Sequence, residues 1–156
     1  LVSLTEVHKL IYDYEISRNL APFIEKNAEI LSVELKDAYE RGIMITKTQY
    51  HDALDVKLSS EQFFEQHYWD YDAIIAPSAT GIAPLLSERN TGSAINSLIW
   101  TLGGLPCLTL PLFLGDRDMP FGMQLIGGKQ QDDRLFRTSA WLQKFLQNTL
   151  NEQGED

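Results

Sequence analysis

An adjacent serine pair (Ser59-Ser60), one cysteine (Cys107), three histidines (His8, His51, His67) and two carboxylate pairs (Asp70/Asp72, Asp132-Asp133) are the groups here that could attack, relay a proton or hold a metal. Their spacing argues against most of those roles. A serine on a strand-to-helix elbow needs Gly-x-Ser-x-Gly, which does not occur. Ser59-Ser60-Glu61-Gln62 has the spacing of a helix capping signal instead, Ser followed three places on by Gln. Cys107 stands in an apolar run, whereas a reactive thiolate needs an exposed, electropositive niche, so core packing is expected for it. No two histidines stand four apart and no cysteine cluster joins them, so a helical zinc site is not spelled out. Neither Gly-x-Gly-x-x-Gly nor a P-loop is present, which leaves a nucleotide site unsupported. Asp70 and Asp72 bracket Tyr71 and mark a turn or helix end, and Asp132-Asp133 suits a helix N-terminus, where the dipole favours negative charge.

The remaining polar residues of interest fall between 77 and 128: Ser78, Thr80, Thr91, Ser93, Asn96, Thr101 and Gln124. Gln124 sits between Met123 and Leu125 in an apolar run. A polar side chain there must find partners or suffer the cost of desolvation, so periodicity makes it a structural hydrogen-bonder.

The elements that must position these residues follow from pattern. Val7, Leu10, Ile11 and Tyr14 form one apolar helical face, with Thr5 as its expected N-cap. Pro22 interrupts that helix or opens the next. Ser32 caps a second helix through Tyr39, with Gly42 as its stop. Thr46 and Gln49 form a capping box ahead of a long helix, expected to break near Leu58. Asp72–Pro77 reads as a strand buried on both faces, residues 77–92 as a long loop of the functional kind, and 93–103 as a helix stopped by Gly103-Gly104. Cys107–Leu112 and Phe121–Ile126 are two further strands around a turn at Gly115–Asp118. Asp132 caps a last helix whose apolar set is Leu135, Leu142, Phe145 and Leu146, and the tail from Asn151 is polar and frayed. The order describes one α/β domain over 1–156: 1–70 mainly helical, 71–150 a small mixed sheet of about three strands with helices packed on it.

Composition bounds the function classes. The chain has 156 residues, 44% apolar and 22% charged, ordinary for a globular protein. No stretch approaches the roughly 20 apolar residues of a membrane span, and no signal peptide is visible. A net charge of −9 argues against direct contact with nucleic acid, which asks for a basic footprint. One cysteine and no glycosylation sequon fit a reducing cytoplasm. The chain starts at Leu1 rather than methionine, which points to a piece of something longer.

The ordered run as a whole resembles the C-terminal part of the amidase signature family. That resemblance is carried by Asp72 to Pro77, Thr91-Gly92, Asn96, Trp100-Thr101, Gly104-Leu105-Pro106, Leu108 to Pro111, Pro120-Phe121-Gly122-Met123-Gln124 and Asp132-Asp133-Arg134-Leu135. Tyr14-Glu15, Arg18, Gly42, Tyr50 and Ala53 match the family's linking helices, so the likeness covers about residues 10–148.

It implies part of an α/β/α sandwich, in which the Gly-x-Pro turn feeds a strand into a larger sheet and the preceding helix lines the acyl side of a substrate pocket. It implies carboxamide hydrolysis through a serine acyl-enzyme, with no cofactor and no metal. The family's lysine and two serines lie N-terminal to the matched region, so no catalytic residue carries over and the fragment alone is expected to be inactive. Pocket lining carries over to Asn96, Trp100, Thr101 and Gln124. The amidotransferase A subunits of the family tend to carry an acidic residue where Ala94 stands, which favours a general amidase acting on a small amide. The alternatives are part of a tRNA-dependent amidotransferase A subunit, or a non-catalytic α/β binding module using the 77–92 loop. A sheet of three strands would expose an edge and pair into a homodimer.

Overall fold

The computed structural model describes residues 3–67, 70–88 and 90–153. They form six helices and three strands: α1 (Leu4–Asn19), α2 (Ala21–Lys26), α3 (Val33–Met44), α4 (Lys47–His67), β1 (Ile74–Pro77), α5 (Ile95–Leu102), β2 (Cys107–Leu114), β3 (Pro120–Ile126) and α6 (Asp132–Gln153). The chain divides into two compact units, Leu1–Ser60 and Glu61–Asp156.

The first unit is helical. Ser3, not Thr5, caps α1. Its Oγ accepts from the Glu6 amide and the Glu6 carboxylate accepts from the Ser3 amide at 2.8 Å, a reciprocal pair that Thr5 has no partner three places on to make. Pro22 opens α2, where its missing N–H costs nothing. Ser32 caps α3 through the Leu35 amide as expected. Gly42 is not the stop of α3 but lies inside it, because a Cβ there would overlap the backbone carbonyl of Asp13 and meet Ser17 Cβ at 2.7 Å. It is the point where α3 closes on α1. Beside that crossing Asp13 is 3% exposed, and its carboxylate accepts from Arg41 at 2.6 and 3.0 Å and from Lys9 at 2.7 Å. Tyr14 and Tyr50 stack at 4.1 Å, and the Tyr50 hydroxyl donates to Glu15 at 2.9 Å.

Thr46 and Gln49 make the expected capping box, but α4 then runs unbroken through Leu58. The Ser59 and Ser60 hydroxyls donate back to the carbonyls of Asp55 and Val56, both at 2.9 Å, so a continuing helix absorbs the would-be caps.

The second unit is a three-stranded sheet of order β1-β3-β2. Both ladders are antiparallel, where a mixed sheet was expected. The strand last in sequence takes the centre, and it runs against both neighbours. Ile74 pairs with Ile126 on one side and Cys107 with Ile126 on the other. Strand β2 is two residues longer than expected, with an irregular register between Leu110 and Phe113 around Pro111, which has no N–H to give a ladder.

Each sheet face has its own core. Ile126, Ile74 and Ala76 pack with Leu105, Trp100 of α5 and Phe64 of α4. On the other face Leu110, Leu125 and Met123 pack against Leu135 and Leu142 of α6. The buried stripe of α6 also carries Ser139, while Phe145 turns outward and stacks on Trp141. Strand β1 is not buried on both faces: α6 lies over β2 and β3 and leaves Ile75 57% exposed at the edge. Cys107, expected in the core, is exposed, although it stands beside the buried Ile126 in the ladder. Helix α6 continues to Gln153, and the end of the expected frayed tail, residues 154–156, lies outside the described residues.

Asp13 yields a pH prediction. Burial alone would raise its carboxyl, but the hydrogen bonds and charges of Arg41 and Lys9 outweigh that and hold it below the ordinary carboxylate range. A carboxyl held low when folded stabilises above its unfolded pKa and loses that contribution as pH falls through the folded value. Asp13→Asn is expected to cost about 1–3 kcal/mol at neutral pH and to flatten the acid limb of stability. Urea melts between pH 7 and pH 3 check both.

Candidate functional site

The site is built where the sheet meets the long loop. Helix α5 ends in a hydrogen-bonded turn that the Gly103-Gly104 pair makes possible. The Leu105 amide donates to Trp100 O at 3.0 Å and the Gly104 amide to Thr101 O at 3.2 Å, with Gly104 at φ +65°, where a Cβ is strained. Gly103 serves a different need: a Cβ there would lie 2.9 Å from the Phe64 ring. The turn then feeds Leu105-Pro106 into β2, and Pro106 O accepts from the Gly127 amide at 2.9 Å. The two glycines and the proline thus join α5, β2 and the end of β3 at one corner.

The 78–94 segment leaves β1 at Pro77 and returns at α5, with a 3₁₀ turn at Leu86–Glu88. It encloses a cleft of about 240 Å³ whose polar side chains are Ser78, Thr80, Thr91 and Ser93, closed by Pro120, Phe121 and Gly122 of β3. The Ser78 amide and hydroxyl both donate to Gly122 O, at 3.1 and 2.8 Å. Gly92 lies at φ +83°, and a Cβ there would meet Pro84 on the opposite arm at 3.6 Å. On the return arm the Asn90 side chain accepts from the Gly92 amide at 2.9 Å.

None of the four residues expected at a pocket belongs to the lining of this cleft. Gln124 is 2% exposed and lies on the β3 face that carries Ile126. Its Nε2 donates to Pro77 O at 3.0 Å and to Asn96 O at 2.8 Å, the structural hydrogen-bonding that its mid-strand position predicts. Asn96, in the first turn of α5, is half-buried and is joined to Gln124 through its backbone. Trp100 is half-buried against Phe64, ring centroids 5.8 Å apart, and its Nε1 is buried without a hydrogen-bond partner. Thr101 is exposed at the end of α5.

Sequence reasoning missed the pairing of Ser78 with Gly122. The available signal was a glycine inside a strand, which marks a close approach by another backbone or side chain.

The other groups do not assemble a second centre. A larger polar cleft of about 580 Å³ lies at the turn after β3, near Gln62, Lys129 and Arg134. Its cations are already paired: Lys129 with Glu61 at 2.5 Å and Glu65 at 3.8 Å, Arg134 with Asp72 at 2.8 Å. The side-chain hydrogen bond to Glu61 raises Lys129 and keeps it charged. Partial desolvation pushes the Cys107 thiol up, away from a reactive thiolate. Among the described residues no group of three His, Cys, Asp or Glu could hold a metal ion, and no helix is long and apolar enough to cross a membrane.

Comparison with known proteins adds an independent line. The sequence profile of the Amidase family matches residues 3–136. The A subunit of glutamyl-tRNA(Gln) amidotransferase from Agathobacter rectalis is 26% identical over 146 residues, spanning 90% of this chain and 28% of that protein. Its counterpart from Cupriavidus pinatubonensis is 28% identical over 139 residues, 81% of this chain and 28% of that protein. This chain therefore spans under a third of these relatives. A crystal structure of an amidase superposes with a TM-score of 0.79 at 23% identity, over 91% of this chain and 35% of that one. The 6-aminohexanoate cyclic dimer hydrolase gives 0.66 at 18% identity, over 92% of this chain and 37% of the other. Both likenesses concern the fold.

Gly122 is the point where the cleft is most sensitive to added bulk. A Cβ there would sit 2.5 Å from Thr109 Cγ2 and 2.8 Å from Ser78 Oγ. Gly122→Ala is expected to destabilise by about 1–3 kcal/mol through overpacking and to detach Ser78 from β3. Chemical denaturation, together with amide exchange at Ser78, measures the two effects.

Proposed function

The chain belongs to the Amidase family, and on that premise we propose that it is the C-terminal, substrate-side segment of an amide hydrolase whose nucleophile and base lie outside these 156 residues. The observation that carries the reading is a cleft lined by hydroxyls with no nucleophile–base couple beside it among the described residues. The adjacent serines Ser59 and Ser60 spend their hydroxyls on the carbonyls of their own helix. In the parent enzyme an activated serine would attack a carboxamide carbonyl, and backbone N–H groups would hold the oxyanion. No cofactor and no metal are needed for that chemistry.

Of the residues expected at the pocket, we assign Asn96 and Thr101 to a wall that meets the amide in the parent enzyme beside, not within, the lining of this cleft. Trp100 and Gln124 support that wall from behind.

A second reading, part of a tRNA-dependent amidotransferase A subunit, is favoured by the names of the curated relatives. It would bring further subunits, and those would have to carry the tRNA, since a chain of net charge −9 offers little to a phosphate backbone. Ala94, at the N-cap of α5, stands where an acidic residue is expected in that group. The cytoplasm is the compartment we assign to either reading.

Two outcomes test the proposal. Purified chain 1–156 is expected to release no ammonia or aniline from carboxamides and anilides. Hydrolysis that survives alanine at both Ser59 and Ser60 would show that the chain carries its own machinery. The outer edges of β1 and β2 have no partner strand among the described residues, and Phe113 and Leu114 are exposed there. A homodimer through such an edge is expected, and light scattering that gives a sharp monomer at high concentration would overturn it.

A further inference from the structure

We infer that Gln124 is a positioning residue: its carboxamide clasps the two ends of the 78–94 loop and so sets the width of the hydroxyl-lined cleft. This deepens the reading of that cleft as a pocket wall and rests on that reading for its functional meaning. The geometry stands apart from it.

Pro77 is the last residue of β1 and Asn96 lies in the first turn of α5, so their carbonyls bracket the loop. Gln124 Nε2 donates to both, at 3.0 and 2.8 Å. A primary amide nitrogen has two hydrogens, and both are committed. The side-chain orientation is not arbitrary, because both partners are acceptors and only the nitrogen can face them.

Holding the ends of a flexible loop together opposes its conformational entropy. Here one buried side chain supplies the cross-link. Two residues earlier on the same face of β3, Gly122 accepts from the Ser78 amide and hydroxyl. The outgoing arm is therefore fastened twice to β3, whereas of the two β3 residues only Gln124 holds the returning arm, through Asn96 O. Removing the carboxamide takes one donor from each carbonyl and frees the returning arm to move from the cleft.

The test is site-resolved hydrogen exchange on the 156-residue chain. The reporters are the Ser78 amide, which donates to Gly122 O, and the Ser97 amide, which donates to Ala94 O at 2.9 Å. Amides of the β2–β3 ladder serve as the control. Gln124→Leu is expected to speed exchange at Ser97 by about tenfold or more, the loss of about one hydrogen bond, with the ladder unchanged.

Gln124→Glu separates a clasp from simple filling. As a carboxylate it accepts only and repels both carbonyls; protonated, it donates one hydrogen. Strands β1 and β3 and helix α5 carry no titratable side chain and β2 carries only Cys107, whose thiol is pushed up. Glu88 of the loop and Glu61 and Glu65 of α4, whose Phe64 packs on this face, are present in the unsubstituted chain too. The new carboxyl is therefore read as the acid response that Gln124→Glu has and the unsubstituted chain lacks. Protection at Ser97 is expected to be lost at neutral pH and regained as pH falls.

Unchanged exchange at Ser97 in Gln124→Leu would overturn the clasp. So would loss spread equally through the β2–β3 ladder. If Gln124→Leu does not fold, the pH response of Gln124→Glu decides alone. None of these readouts involves amide hydrolysis, so a negative hydrolysis result and a failed clasp remain distinguishable.

Discussion

Strand β3 carries two ladders at once, and the rest of the 61–156 unit is arranged by that fact. A strand paired on both sides has only its two faces left for packing, and alternation divides its side chains between them. Met123 and Leu125 go to the α6 side, Gln124 and Ile126 to the α5 side. A one-residue slip would exchange these sets, placing Gln124 under α6 and Leu125 beside Asn96. Burial of Ile126 and Leu125, among the least exposed side chains described, holds the register. That register in turn puts a glycine opposite Ser78 and an amide between the two ends of the loop.

The helical unit solves a different problem. Close approach of α1 and α3 depends on a missing side chain at Gly42, and it buries a carboxylate beside the crossing. A buried charge is costly unless it is paired and hydrogen-bonded. Asp13 meets that condition with a bidentate guanidinium and an ammonium whose own side chains remain half in water. The chain is acidic overall, yet its best-buried carboxylate is one whose charge is balanced locally.

The strands, the Thr46–Gln49 capping box, the Ser32 cap and the Gly-Gly stop of α5 were legible because each depends on neighbours in sequence. Thr46 with Gln49 and Ser32 with the Leu35 amide close over three residues. The misreadings have different causes. Ser59-Ser60, Gly42 and Cys107 each carry a local signal that the rest of the fold overrode. The pair was absorbed by a helix that continues, the glycine was needed by α1, and the cysteine, at the start of β2, is exposed. Thr5 lost its cap role to Ser3 for a more local reason, since only Ser3 has Glu6 three places on.

What the sequence determined by itself was the order of elements and the family, because periodicity, capping and motif order are properties of near neighbours. The identity of Gln124 as a buried polar group that needs partners was also visible there. Which partners it takes was decided only in three dimensions. Pro77 and Asn96 stand 47 and 28 residues away from it, and no local pattern encodes which carbonyls an amide will meet. The same holds for the cleft. Its hydroxyls lie along one loop in sequence, but the enclosure exists because β3, last of the strands in sequence, inserts between the first two and presents Gly122 to Ser78.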